Sequence, residues 1–223
     1  MMTKGELYRA VGEGDVESLT NLLAKTTDTK HYNDLLLLAL DRNFPEVAIL
    51  LLENKADPNI RIYGEEVPMF YAVVRGNIQL ITSLLNHRAN LDIQNCAGKT
   101  VLHKSVISKN QEVVKLLLDN KANPNIPDDY GDTPLFYTGN AEIFTLLLEY
   151  KADIDLKNNL GDSIRSLLED PTLTKYNSHL SKLLNDYLIR EQCYIKVADE
   201  GIRCTALDDR GDLLAGENRD NSE

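Results

Sequence analysis

Apolar residues along the chain fall into short clusters of two kinds. One kind keeps helical spacing: Val16, Leu19, Leu22 and Leu23 share one face, as do Leu180, Leu183, Leu184 and Leu188. The other kind is almost solidly apolar. Among Val113, Val114, Leu116, Leu117 and Leu118 only Lys115 is polar, a surface too wide for one partner, which predicts a helix sandwiched between neighbours. Between the clusters lie Asn-, Gly- and Pro-rich pieces such as 119–127, which cannot continue a helix and read as turns or hairpin arms.

This punctuation recurs. Lys-Ala-Asn-Pro-Asn at 121–125 returns as Lys-Ala-Asp-Pro-Asn at 55–59, Arg-Ala-Asn-Leu-Asp at 88–92 and Lys-Ala-Asp-Ile-Asp at 151–155. The copies that start at 55, 88 and 121 are evenly spaced, and the one at 151 falls three places early. A fixed period of this length marks a solenoid of stacked units. The clearest unit runs from Asn95 to Pro127. In it Gly98 supplies a turn and Thr100 caps a short helix through His103 to Ser108. Ser108-Lys109-Asn110 breaks that helix, and Asn110 caps a second one.

On these residues the unit resembles an ankyrin repeat. Gly98-Lys99-Thr100-Val101-Leu102-His103 and Gly131-Asp132-Thr133-Pro134-Leu135-Phe136 resemble the family's Gly-x-Thr-Pro-Leu-His. Glu112–Leu118 and Glu142–Leu148 resemble its second-helix pattern. The resemblance is strong over 30–158 and weak on both flanks, and it implies an all-α solenoid of stacked helix-turn-helix units with short β-hairpin loops.

The chain then divides as follows. Residues 1–29 form a degenerate N-terminal capping repeat, with helices over Glu6–Val11 and around Val16–Leu23. Repeats follow at 30–62, 63–95, 96–128 and 129–158, then a C-terminal capping helix pair at 159–190 and an acidic, largely disordered tail at 191–223. In the second unit Asp34 stands at the capping position, and Pro45 opens the helix Glu46–Leu52. The third unit has Glu65 where glycine is expected, with Gly64 one place early, which predicts a distorted turn and a retained helix pair. The fifth unit pairs a good opening, Thr133-Pro134, with a three-residue deletion after Thr138 that removes most of a turn from its first helix. The deletion reads either as tolerated drift or as a notch in the binding face. After the second helix the family usually has glycine, where the backbone turns left-handed. Here Lys55, Arg88, Lys121 and Lys151 occupy that place. Either they adopt the strained conformation, or it shifts onto Asn54 or Asn120.

Composition narrows the function. At 223 residues, 43% hydrophobic and 26% charged, the chain suits a folded globular protein. Its net charge of −11, with eight acidic residues and three Arg from Asp199 onward, argues against nucleic-acid binding. Apolar runs such as Leu35–Leu40 are far too short to span a membrane, and the start Met-Met-Thr-Lys-Gly-Glu-Leu-Tyr has no apolar signal core. The expected address is a cytoplasm. The Asn-, Lys- and Ile-rich composition resembles that of stand-alone ankyrin proteins from AT-rich genomes, obligate intracellular bacteria included, which adds delivery into a host cell as an alternative.

Candidate chemistry is sparse. His31, His87, His103 and His179 show no metal-ligand spacing, and Cys96, Cys193 and Cys204 show no Cys-x-x-Cys pair. The resemblance implies that His103 is a structural hydrogen-bonding residue. No glycine-rich phosphate loop follows a strand, and no carboxylate pair stands out. A non-enzyme is expected, monomeric, without cofactor, metal, nucleic-acid or membrane partner.

The resemblance implies a concave face of hairpin tips and first helices that binds another protein. By register, the hairpin side holds Tyr63, Glu66, Lys99, Asp129, Tyr130 and Asp132, and the helix side holds Arg42, Tyr71, Arg75, Lys104, Ser108 and Tyr137. Tyr71, Lys104 and Tyr137 share one repeat position and are expected to form a row. Tyr and Arg are favoured among them as binding anchors. Two readings compete with this scaffold, adaptor or inhibitor. One is a sequestering inhibitor whose acidic tail engages a basic partner. The other, an enzyme with an ankyrin targeting module, is left only 191–223 in which to place a catalytic domain.

Overall fold

A computed structural model describes residues 4–25, 29–61 and 67–169, together with Lys182 and Tyr187. The chain divides into two compact units, Met1–Leu167 and Leu168–Glu223. Nearly all described residues belong to the first. The tail, Cys193, Cys204 and most of the proposed C-terminal pair lie outside the described residues, as does the expected distorted turn at 62–66.

The first unit is built from helix pairs. They are α1 (Lys4–Glu13) with α2 (Val16–Leu23), α3 (Tyr32–Asp41) with α4 (Pro45–Glu53), α5 (Pro68–Arg75) with α6 (Ile78–Asn86), and α7 (Val101–Ile107) with α8 (Gln111–Asp119). A 3-10 turn, Pro134–Tyr137, then precedes α9 (Ala141–Glu149), and α10 (Ile164–Glu169) follows. The first helices α1, α3, α5, α7 and the 3-10 turn neighbour one another in sequence order. The second helices form another layer, in which α2 meets α4, α4 meets α6, and α8 meets α9. This is the all-α solenoid that the resemblance implies. No strand forms among the described residues, so the hairpin arms are tight turns closed by single bonds such as Asn95 N–H to Lys99 O (3.0 Å) and Asp128 N–H to Asp132 O (2.9 Å).

Local chemistry sets the helix ends. The side chains of Asp15, Asn77, Asn110 and Asn140 accept from the N–H groups of Ser18, Leu80, Val113 and Ile143 at 2.9–3.1 Å, satisfying donors that each second helix leaves open. Helix α4 instead starts with Pro45, which has no N–H to satisfy. Asp34 does not cap α3. The cap position is His31, and Asp34 lies inside the first turn, where it accepts from Tyr8 Oη at 3.2 Å.

At the second-helix ends the positive φ falls on the cations: 75° at Lys55, 63° at Arg88, 68° at Lys121 and 66° at Lys151. Asn54 and Asn120 keep φ of −94° and −92°. Their side-chain amides donate to Leu50 O and Leu116 O, both at 2.8 Å, so each asparagine is spent on the helix. The next N–H but one then bonds five residues back, Ala56 to Leu51 and Ala122 to Leu117, both at 3.0 Å. That six-to-one bond requires the left-handed residue directly before it.

Each second helix buries one apolar face, such as Val47, Ala48, Leu51 and Leu52 in α4 and Val113, Val114, Leu117 and Leu118 in α8, and leaves Ile49, Leu50 and Leu116 half-buried. A relay of side chains ties consecutive units at the turns that follow. Asn59, Asp92 and Asn125 accept from the N–H groups of Asn90, Asn123 and Asp153 at 2.7–3.0 Å, and within the second unit Asn33 of α3 accepts from Asp57 N–H at 2.8 Å. Each first Asx of the recurring Ala-Asx-x-Asx pattern meanwhile caps its own turn, as Asn123 Oδ1 does for Asn125 N–H at 3.0 Å.

Candidate functional site

Two environments meet where the hairpin tips join the first helices: a packed polar cluster between the fourth and fifth units, and an open strip along α5 and α7. The cluster is built on Asp128. Its Oδ1 accepts from the N–H groups of Tyr130 (2.9 Å) and Asp132 (3.1 Å), as Asn95 and Asn158 do one unit before and after. Its Oδ2 pairs with the Lys99 ammonium and accepts from Tyr137 Oη at 2.5 Å. Lys99 also donates to Tyr137 Oη at 2.5 Å and lies 4.1 Å from the centre of that ring. The Asp128 side chain is 0% exposed and that of Lys99 15%.

Burial pushes the Asp128 carboxyl up. The bonds from Lys99, Tyr137 and the two N–H groups outweigh it and hold the carboxyl below its usual range. Burial likewise favours a neutral Lys99, but its bonds to Asp128 and Tyr137 keep its pKa above the ordinary value. Burial and then the Asp128 bond raise the Tyr137 phenol. All three shifts lock the charged pair in place and move it away from proton exchange near neutrality.

Beside this cluster His103 is fully buried. Its Nδ1 accepts from Thr100 N–H at 3.0 Å, and its Nε2 reaches the Asp132 carbonyl at 3.1 Å. A carbonyl only accepts, so Nε2 carries the proton and the ring is neutral, in line with a pKa lowered chiefly by burial. Phe136 takes the equivalent place in the fifth unit. Thr133 Oγ1 there is buried with no hydrogen-bond partner among the described residues, as is Thr138 Oγ1.

Gly98 and Gly131 let successive tips close up. A Cβ on Gly98 would stand 2.5 Å from Asp129 N, and one on Gly131 2.7 Å from Asn159 N, with φ of 70° and 80°. Asn159 N–H in turn bonds Tyr130 O at 2.9 Å.

The residues singled out by register are distributed between these environments. Tyr63 and Glu66 lie outside the described residues. Lys99 and Tyr137 are held in the cluster, and Asp132 is half-buried, accepting from Asn158 Nδ2 at 2.9 Å. Asp129 and Tyr130 are exposed at the tip, Tyr130 by 68%. On the helix side Arg42, Arg75 and Ser108 are exposed and Tyr71 and Lys104 half-buried, with the Arg75 guanidinium 5.4 Å from the centre of the Tyr71 ring. Of the expected row, Tyr71 and Lys104 face the open strip while Tyr137 is drawn into the Asp128 network.

Sequence reasoning missed Asp128, whose signal was its place three residues before Gly131, matched by Asn95 before Gly98. It also missed that the apolar side chains Val16, Val74, Ile107 and Leu160 are exposed. Val74 and Ile107 take the same place in successive units, each within an apolar helix, a pattern that reads as core.

A family model of ankyrin repeats in three copies matches residues 69–158. These residues are ankyrin repeats. An ankyrin repeat domain from Acinetobacter baumannii AYE superposes with a TM-score of 0.72 at 24% identity, covering 83% of this chain and 98% of that one. The ankyrin repeat protein EF0377 does so with a TM-score of 0.68 at 25% identity over the same shares. The phosphate system positive regulatory protein PHO81 of Saccharomyces cerevisiae is 44% identical over 52 residues, which is 23% of this chain and 4% of that protein. Ankyrin arrays are in general protein–protein interaction modules. Among the described residues no three His, Cys, Asp or Glu are grouped to hold a metal ion, and no helix is long and apolar enough to cross a membrane.

Proposed function

We propose that this ankyrin array is a non-catalytic module, a scaffold, adaptor or inhibitor, that binds another protein through its first helices and hairpin tips. One observation carries the reading. Side chains that the framework does not use, Val74, Arg75, Ile107, Ser108 and Tyr130, stand exposed on the first helices and hairpin tips, while Asp128, Lys99 and Tyr137 nearby are spent on one another. Function on a repeat fold resides in such side chains. The one neutral imidazole near the cluster, His103, is sealed from solvent and offers no base to a substrate.

The test is affinity capture from a cytosolic lysate with wild type and Tyr71→Ala/Arg75→Ala, both first matched for helical content and melting temperature. Tyr137 is left intact, because removing its hydroxyl breaks the Asp128 network. A partner retained by wild type and lost from the variant is the expected result. Equal retention by both moves the binding site off this layer and defeats the proposal.

A further inference from the structure

We infer that the open strip on α5 and α7 is a docking site for an acidic amphipathic helix, a refinement that rests on the interaction reading above. The strip is apolar at its centre. Val74 is 58% exposed and Ile107 43%, at the same place in adjacent units, with the half-buried Tyr71 ring beside them. Its flanks are cationic. Arg75 and Lys104 border the apolar pair, and α5 and α7 contain no acidic residue at all, in a chain whose net charge is −11. At the α3 end Arg42 is offset by Asp41, and beyond α7 come Asp129 and Asp132 of the next tip. Among the first helices of the described residues, α5 and α7 are the two that hold a cation other than histidine and no acidic residue.

Geometry selects the shape of the partner. Helices α5 and α7 are neighbours, and packed helices lie about 8–10 Å apart. On a partner helix crossing them, residues two turns apart are separated by about 10.5 Å. Apolar residues at i and i+7 thus match Val74 and Ile107, and carboxylates beside each meet Arg75 and Lys104. The footprint ends there. The fifth unit lacks the equivalent position, because its first helix is only the 3-10 turn Pro134–Tyr137. Two anchoring side chains with charged flanks give an occupant that is short and acidic, recognised through burial at the centre and charge at the rim.

The experiment uses the full chain and two fluorescein-labelled synthetic helical peptides. Each carries two leucines seven residues apart; one has glutamates at the flanking positions and the other lysines. Fluorescence anisotropy should show the glutamate peptide binding at least about tenfold more tightly than the lysine peptide, with the preference shrinking as salt rises. Arg75→Glu/Lys104→Glu should invert it, and Val74→Ser/Ile107→Ser should weaken the glutamate peptide about tenfold or more. All four side chains reach solvent, and unchanged melting of the variants checks that the fold survives. Equal binding of the two peptides, no binding of either, or indifference to the charge reversal overturns the acidic-helix inference. Self-association lost in Val74→Ser/Ile107→Ser would assign the strip to a second copy of the chain and also overturn it. If the peptides fail while capture still depends on Tyr71 and Arg75, only the partner's chemistry is wrong. If capture is also indifferent, the interaction reading itself falls.

Discussion

Lys121 holds a left-handed backbone at φ 68° because the bond from Ala122 N–H to Leu117 O leaves no other path. A side chain there costs about 1 kcal/mol relative to glycine, partly recovered because a cation suits a helix C-terminus. Lys121→Gly is accordingly expected to raise unfolding stability by about 0.5–1 kcal/mol, read as a higher urea midpoint at unchanged slope. His103 supplies a pH dependence. Its folded pKa lies below the ordinary value, so on acidification the unfolded chain takes up a proton that the folded chain refuses. Its contribution is complete above about pH 6.5 and is lost as pH falls from there through the folded value. Urea titrations across that window should show wild type losing more stability than His103→Ala, which is weaker at every pH but has no imidazole to protonate.

The fifth unit shows how an element answers a shortened sequence. Thr133-Pro134 has the composition of a good helix start, yet the deletion after Thr138 leaves four residues of 3-10 turn, and Thr138 follows with extended backbone at φ −80° and ψ 128°. The other units leave their first helix through a left-handed residue, Gly14, Asn43, Gly76 or Lys109. Gly139 in the shortened unit does not adopt it. Two buried threonine hydroxyls have no partner among the described residues here, and each such group costs about 1–3 kcal/mol. Amides of 136–138 are therefore expected to exchange with deuterium at least about tenfold faster than those of 104–107 in α7 under native conditions. Comparable protection would mean that the fifth unit is as firmly held as the fourth. The loss of helix was legible in the count of residues. The unpaired hydroxyls were not, because they depend on which side chains pack over them.

Across the whole array, what the sequence determined by itself was its period. Repetition of turn residues, caps and apolar clusters at one fixed interval sets helices, breaks and register through local chemistry. Helix starts at Asn77, Asn110 and Asn140 and the cations after the second helices all follow from it. Tertiary structure decided the pairings between units, and with them which face remains open. Lys99 meets Asp128 from 29 residues away and Tyr137 from 38, and that network withdraws Tyr137 from a row that register alone had assigned to the surface. Val74 and Ile107, which hydrophobicity reads as core, stay exposed because among the described residues no further layer covers the first helices. The physical reason is the same in both cases: periodicity specifies what each unit is, whereas burial depends on what the neighbouring unit places against it.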